Sequence, residues 1–134
     1  MSEDKSNSEV GRRLAGFGAA YPGTRLTALA SRKPPGLVIR VVGILDSSNS
    51  TAFQNVVAAC LEEARKRGGL ILDLAGLSYA SSTGVGAMTA LLIETRRHKI
   101  PFCLCHIPNN VAAVLEVLGF SSFLDVIEAY EGEE

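Results

Sequence analysis

A chain of 134 residues, 47% of them hydrophobic, is long enough for one domain with a single core. Its formal net charge of −1, with acidic and basic residues interspersed, argues against a nucleic-acid or anionic-membrane partner. The longest apolar runs, residues 37–39 and 41–45 on either side of Arg40, are far too short to insert into a bilayer.

The first nine residues are polar, include Glu3, Asp4 and Glu9, and lack an apolar segment, so no secretory signal is expected. Three cysteines without a disulfide framework point to a reducing compartment and hence to the cytoplasm. Residues 1–23 read as an N-terminal extension broken by Gly11, Gly16, Gly18, Pro22 and Gly23, with the first nine expected to be disordered. Leu14, Phe17 and Tyr21 are the side chains through which it would dock on the domain.

Residues 24–32 form a weak first strand, and Lys33-Pro34-Pro35-Gly36 a turn, because proline fixes φ and glycine permits reversal. Residues 37–45 are a strong strand, rich in Val and Ile, able to pair with the first as an antiparallel hairpin. After the capping cluster Ser47-Ser48-Asn49-Ser50, the residues Phe53, Val56, Val57, Cys60, Leu61 and Ala64 make one helical stripe, ended by Arg65, Lys66, Arg67 and Gly68-Gly69. The run 70–74 is apolar on both sides of its alternation, as in a buried central strand. A second helix is predicted over 82–97, with Val85, Met88, Leu91, Leu92 and Thr95 inward. A strand follows at 102–107. Pro108 then stands in the first turn of a third helix carrying Val111, Val114, Leu115 and Leu118, and Gly119 stops it. A short strand over 123–127 and a solvated acidic end, residues 131–134, complete the chain. The alternation implies an α/β fold: a mainly parallel mixed sheet, an initial antiparallel hairpin and three to four helices.

The informative stretch is Ser81-Ser82-Thr83-Gly84-Val85-Gly86 between a strand and a helix. A serine there is polar, accessible and near the positive end of a helix dipole, so the fold would tolerate an added phosphate. The plainer alternative is that Ser82 or Thr83 is simply the helix cap. Asp46, in the loop before the first long helix, either contacts a partner or caps a turn. Asp73, inside a strand, reads as structural. Cys103 and Cys105 share one strand face without a second ligand pair, so they read as buried thiols, and His98 and His106 complete no metal site. Ser82, His106 and Asp73 lack the Gly-x-Ser-x-Gly elbow, because Ala80 stands two before Ser82. Gly84 and Gly86 lack the third glycine and lysine of a phosphate-binding loop. No enzyme and no cofactor are expected.

Residues 43–46 before a helix, Leu72-Asp73-Leu74, Ser78 to Gly86, Ile107-Pro108-Asn109-Asn110-Val111 and Leu118-Gly119-Phe120 together resemble the STAS domain over residues 24–130. This is the fold shared by bacterial anti-sigma factor antagonists and the tails of sulfate transporters. The resemblance implies a loop of the form Asp-Ser-Ser-Gly-x-Gly whose first serine is phosphorylated by a partner kinase. That serine aligns with Ser82, while Ser81 stands in place of the aspartate and Thr83 in place of the second serine. Losing the aspartate removes a charge beside the acceptor and leaves Ser81 and Thr83 as alternative targets. The implied partners are an anti-sigma factor that is also a serine kinase, bringing its own ATP and magnesium, and a serine phosphatase. The partner-facing residues would be Asp46, Ser81, Ser82, Thr83, Gly84 and Val85. A STAS subunit of another signalling or transport assembly, or a small-ligand or nucleotide sensor, are the alternatives.

Overall fold

A computed structural model of the chain describes residues 5–119 and 125–132, with side chains from residue 9 onward. In chain order the elements are α1 (Lys5–Ala20), β1 (Thr24–Lys33), β2 (Pro35–Leu45), α2 (Ser50–Ala58), α3 (Leu61–Arg67), β3 (Leu70–Ala80), α4 (Ser82–Arg97), β4 (Phe102–Cys105), α5 (Asn109–Val117), β5 (Asp125–Ile127) and β6 (Glu131–Gly132). The strands form one mixed sheet in the order β5-β4-β3-β2-β1-β6. β1 and β2 make the expected antiparallel hairpin, and β2, β3, β4 and β5 run parallel.

Each crossover from β2 to β5 advances the sheet in the same direction. Right-handed connections therefore lay α2, α3, α4 and α5 on a single face. Leu37, Ile39 and Val41 of β2, Leu70, Leu72 and Leu74 of β3, and Phe102 and Leu104 of β4 point into the core beneath them. Strand alternation turns Val38, Ile71, Cys103 and Cys105 to the opposite face, where Leu29, Ile127 and Tyr130 join them. The register between β2 and β3 slips twice. Arg40 faces Asp73 but Val42 faces Gly76, and Gly43 faces Leu77 but Ile44 faces Tyr79. These bulges let Leu74 and Leu77, three apart, both stay in the core.

Several expectations need correction. Disorder through residue nine gives way to helix from Lys5. Val10, Leu14 and Phe17 form a buried stripe, with Tyr21 packed against the core and its ring centroid 5.1 Å from that of Phe17. That burial outweighs about 1 kcal/mol for each helical glycine. The single helix expected over 53–64 is two, α2 and α3, because the Cys60 amide donates to Val57 and so tightens the turn. The stripe survives the break, and with α1 the helices number five among the described residues. Pro108 is the N-cap of α5 rather than a first-turn residue, and β4 ends at Cys105. Of the last predicted strand, Phe123 and Leu124 lie outside the described residues and 125–127 form β5. Glu131 and Gly132 pair with β1 instead of remaining solvated tail, and Glu131 meets Arg32 at 3.3 Å.

Candidate functional site

β2 and β3 end side by side. Leu45 pairs with Ala80, and the Ser81 amide donates to the Leu45 carbonyl at 2.9 Å. The chain then turns into α4 with Ser81 as N-cap, in extended conformation, its Oγ accepting from the Gly84 amide at 3.2 Å. Ser81 Oγ also shares a 2.7 Å hydrogen bond with Thr83 Oγ1. Two of the three adjacent hydroxyls are thus engaged locally. Ser82 is exposed, and its hydroxyl has no partner among the described residues. The expectation that Ser82 or Thr83 caps the helix is corrected: the cap is Ser81. Serine and aspartate are both favoured at that position, so serine fulfils the structural part of the aspartate it replaces.

Gly84 is fixed by close approach. A Cβ there would lie 2.7 Å from the Leu45 carbonyl oxygen and 3.0 Å from the Leu45 Cβ. Gly86 is under no such constraint, since nothing lies within 4 Å of its missing Cβ. Gly84 and Val85, expected to face a partner, are buried; their part is to seat the helix start against β2 and the core. The first-turn amides of Ser82 and Thr83 have no intrahelical acceptor.

Across the strand ends lies Asp46, half-buried. Its carboxylate accepts from the Ser48 hydroxyl at 2.6 Å and the Ser48 amide at 2.9 Å, which together hold its pKa below the ordinary value. Its backbone amide donates to Asn49 Oδ1 at 3.0 Å, and the Ser50 hydroxyl bonds its carbonyl. Asp46 therefore caps a turn, and the sequence could not decide between that and partner contact. Asn49 makes no side-chain cap for α2; its Nδ2 reaches Thr24 Oγ1 and the Ile44 carbonyl, tying the loop to β1 and β2.

From Ser82 to Ile93 the outward face of α4 is uncharged, and Glu94, Arg96 and Arg97 follow it. Gly86 and Ile93 are exposed, and Thr89 and Ala90 half-buried, at helical spacing from Ser82. At the same end of the sheet, on its open face, Ile44 and Tyr79 are register neighbours and both exposed, with Val42 exposed beside them.

A second polar cluster sits on that open face. Asp73, 5% exposed, accepts from the Ala75 amide at 3.1 Å, bonds His106 Nδ1 at 2.9 Å and accepts from the Tyr130 hydroxyl at 2.6 Å. Arg40 Nε donates to Tyr130 at 3.1 Å and lies 3.7 Å from the Asp73 carboxylate. Burial pushes the Asp73 carboxyl up, but the bonds from Tyr130, His106 and Ala75 outweigh it, and its pKa falls below the ordinary value. The backbone contact expected of Asp73 is present, and two side chains distant in sequence extend it. Cys105 is buried, as read; burial and the nearby Asp73 charge push its thiol up to about 12.

A one-sided α/β sheet with this hydroxyl-bearing helix start defines a class of small STAS-type folds, and comparison with known proteins agrees. The STAS domain family model matches residues 28–133, and the chain belongs to that family. A protein of Bordetella bronchiseptica (strain ATCC BAA-588 / NCTC 13252 / RB50) named "Putative anti-sigma factor antagonist BtrV" is 28% identical over 104 residues, covering 77% of this chain and 88% of its own. Among solved structures, the anti-sigma factor antagonist SpoIIAA in its unphosphorylated form superposes with a TM-score of 0.61 at 20% identity, over 79% of this chain and 87% of that one. The phosphorylated form of SpoIIAA, a Bacillus cell fate determinant, gives 0.57 at 19% identity over 79% and 90%. No described helix is long and apolar enough to cross a membrane.

Proposed function

We propose that the chain is an anti-sigma factor antagonist, a binding module that engages an anti-sigma factor and is switched off by phosphorylation of Ser82. The observation that carries this reading is the exposed, unpartnered Ser82 hydroxyl at the start of α4, between two hydroxyls that the fold already uses. Modification of Ser81 would remove the cap from α4, whereas modification of Ser82 leaves every local hydrogen bond in place. The neutral α4 face running from Ser82 through Gly86 to Ile93 supplies an uncharged surface for a partner, with the Asp46 loop at its rim.

Phosphate on Ser82 adds about −1.5 to −2 charges at neutral pH. Within the free protein, the first-turn amides of α4 and the positive end of its dipole accommodate that charge. Against a partner surface packed for a neutral hydroxyl, the dianion brings bulk and uncompensated desolvation, on the order of several kcal/mol. Each ~1.4 kcal/mol is tenfold in affinity, so one modification suffices to release the partner. The kinase is the anti-sigma factor itself, a serine phosphatase resets the switch, and the module works in the cytoplasm.

The test measures affinity for the cognate anti-sigma factor with Ser82→Ala and Ser82→Asp, each checked by circular dichroism. Ala retains binding and Asp weakens it, with both folded; equal affinity of the two would refute the assignment.

A further inference from the structure

We propose that Asp73, Cys105 and His106 form a binding site for one transition-metal ion of the Zn²⁺ type, on the open face of the sheet and independent of the Ser82 surface. One ligand atom from each residue lies within 4.8 Å of the others. His106 Nδ1 is 2.9 Å from Asp73 Oδ1 and 3.5 Å from Cys105 Sγ. A tetrahedral Zn²⁺ with bonds of ~2.0–2.3 Å holds its ligand atoms about 3.5 Å apart, so small side-chain movements open the cluster around an ion. Carboxylate, thiolate and imidazole are the donor set such an ion prefers.

The backbone supplies an independent observation. Were β4 to continue past Cys105, alternation would turn His106 to the opposite face. It does not, because His106 adopts φ +57°, the left-handed region that non-glycine residues seldom occupy. That turn brings the imidazole onto the side of the sheet where Cys105 and Asp73 lie.

The other carboxylate oxygen of Asp73 is held by Tyr130 and faces Arg40, while Oδ1 accepts from the Ala75 amide and meets His106. Orientation of a liganding carboxylate from behind is usual at metal sites. On the solvent side, a cleft of about 580 Å³ lined by Arg40, Val42, Asp73, Gly76 and His106 leaves room for water as the fourth ligand. Binding replaces the Cys105 S–H bond with a sulfur–metal bond and releases that proton to solvent. The His106 proton, if on Nδ1, moves to Nε2. Thiolate and carboxylate then offset the two positive charges of the ion, and Arg40 stays outside.

The test uses the full chain after chelator treatment. Co²⁺ is titrated with absorption as the readout, and Zn²⁺ with calorimetry in buffers of different ionisation enthalpy. The expected result is one ion per chain, a thiolate-to-cobalt charge-transfer band, and close to one proton released per Zn²⁺ at neutral pH. Cys105→Ser abolishes the band, and His106→Ala weakens Zn²⁺ binding by on the order of tenfold or more. His98→Ala, which removes the surface pair His98 and Glu94, changes neither. Absence of the band and of proton release in the unmutated chain overturns the proposal, as does binding that survives Cys105→Ser and His106→Ala but is lost in His98→Ala. The readouts on the unmutated chain decide the matter even if a variant fails to fold.

Discussion

The start of α4 and the open-face cluster around Asp73 are both groups of polar side chains set against the sheet, yet they use their hydrogen bonds in opposite ways. At α4 the hydrogen bonds close within three residues: Ser81 serves Gly84 and Thr83, and Ser82 is left over. Around Asp73 each polar side chain faces another, and the carboxylate gathers partners 33 and 57 residues away. A hydroxyl the fold does not use is free to carry a signal. A carboxylate with three partners is tied to the fold whether or not an ion joins it, and its loss falls on stability. Charge added at Ser82 should therefore move partner affinity without moving the melting curve, and changes at Asp73 should do the reverse.

The largest expected effect lies on the binding side. Phosphoserine at position 82 lowers affinity for the anti-sigma factor by several kcal/mol, roughly a hundredfold or more, and Ser82→Asp, with a single charge, by about tenfold, both readable by calorimetric titration. Next comes Gly84→Ala. Its methyl meets the Leu45 carbonyl at 2.7 Å, and denaturant unfolding should show a loss of about 1–3 kcal/mol as α4 shifts from β2.

Asp73→Asn should cost a comparable ~1–3 kcal/mol, because Tyr130 and His106 lose a charged acceptor. The pH dependence sharpens this. The folded Asp73 carboxyl lies below its ordinary value, so its contribution is fully present above the unfolded pKa of about 3.9 and is lost as pH falls through the lower folded value. Unfolding curves taken down through that range should fall more steeply for the unmutated chain than for Asp73→Asn. Ser81→Ala, which removes the cap but keeps the helix, should cost about 1 kcal/mol. Smallest of all, Ser82→Ala should stay within ~0.5 kcal/mol of the parent in thermal unfolding; a larger loss would mean that the fold uses this hydroxyl after all.

The same contrast governs what was legible in the sequence. The bounds of α4 and its inward residues follow from local spacing, and the helix spans 82–97 as expected. The hairpin and the mainly parallel sheet likewise follow from turn chemistry and the alternation of elements. β3 runs on to Ala80 although Gly76 and Ser78 are poor strand formers, because pairing with β2 through two bulges supplies what propensity lacks. The helix from Lys5 was hidden by its glycines, and only the docking of Val10, Leu14 and Phe17 explains it. The cluster at Asp73 was invisible because no spacing rule brings His106 and Tyr130 to it. The left-handed turn at His106 cannot be read from a histidine in a strand pattern.

The central claim is that Ser82 is the residue the partner modifies. Incubating the full chain with its cognate anti-sigma kinase and ATP, then mapping the phosphate by fragment mass spectrometry, tests it most directly. The account predicts one phosphate, on Ser82, with the melting temperature essentially unchanged. Phosphate on Ser81 or Thr83 instead, or a modified chain that unfolds, would contradict it.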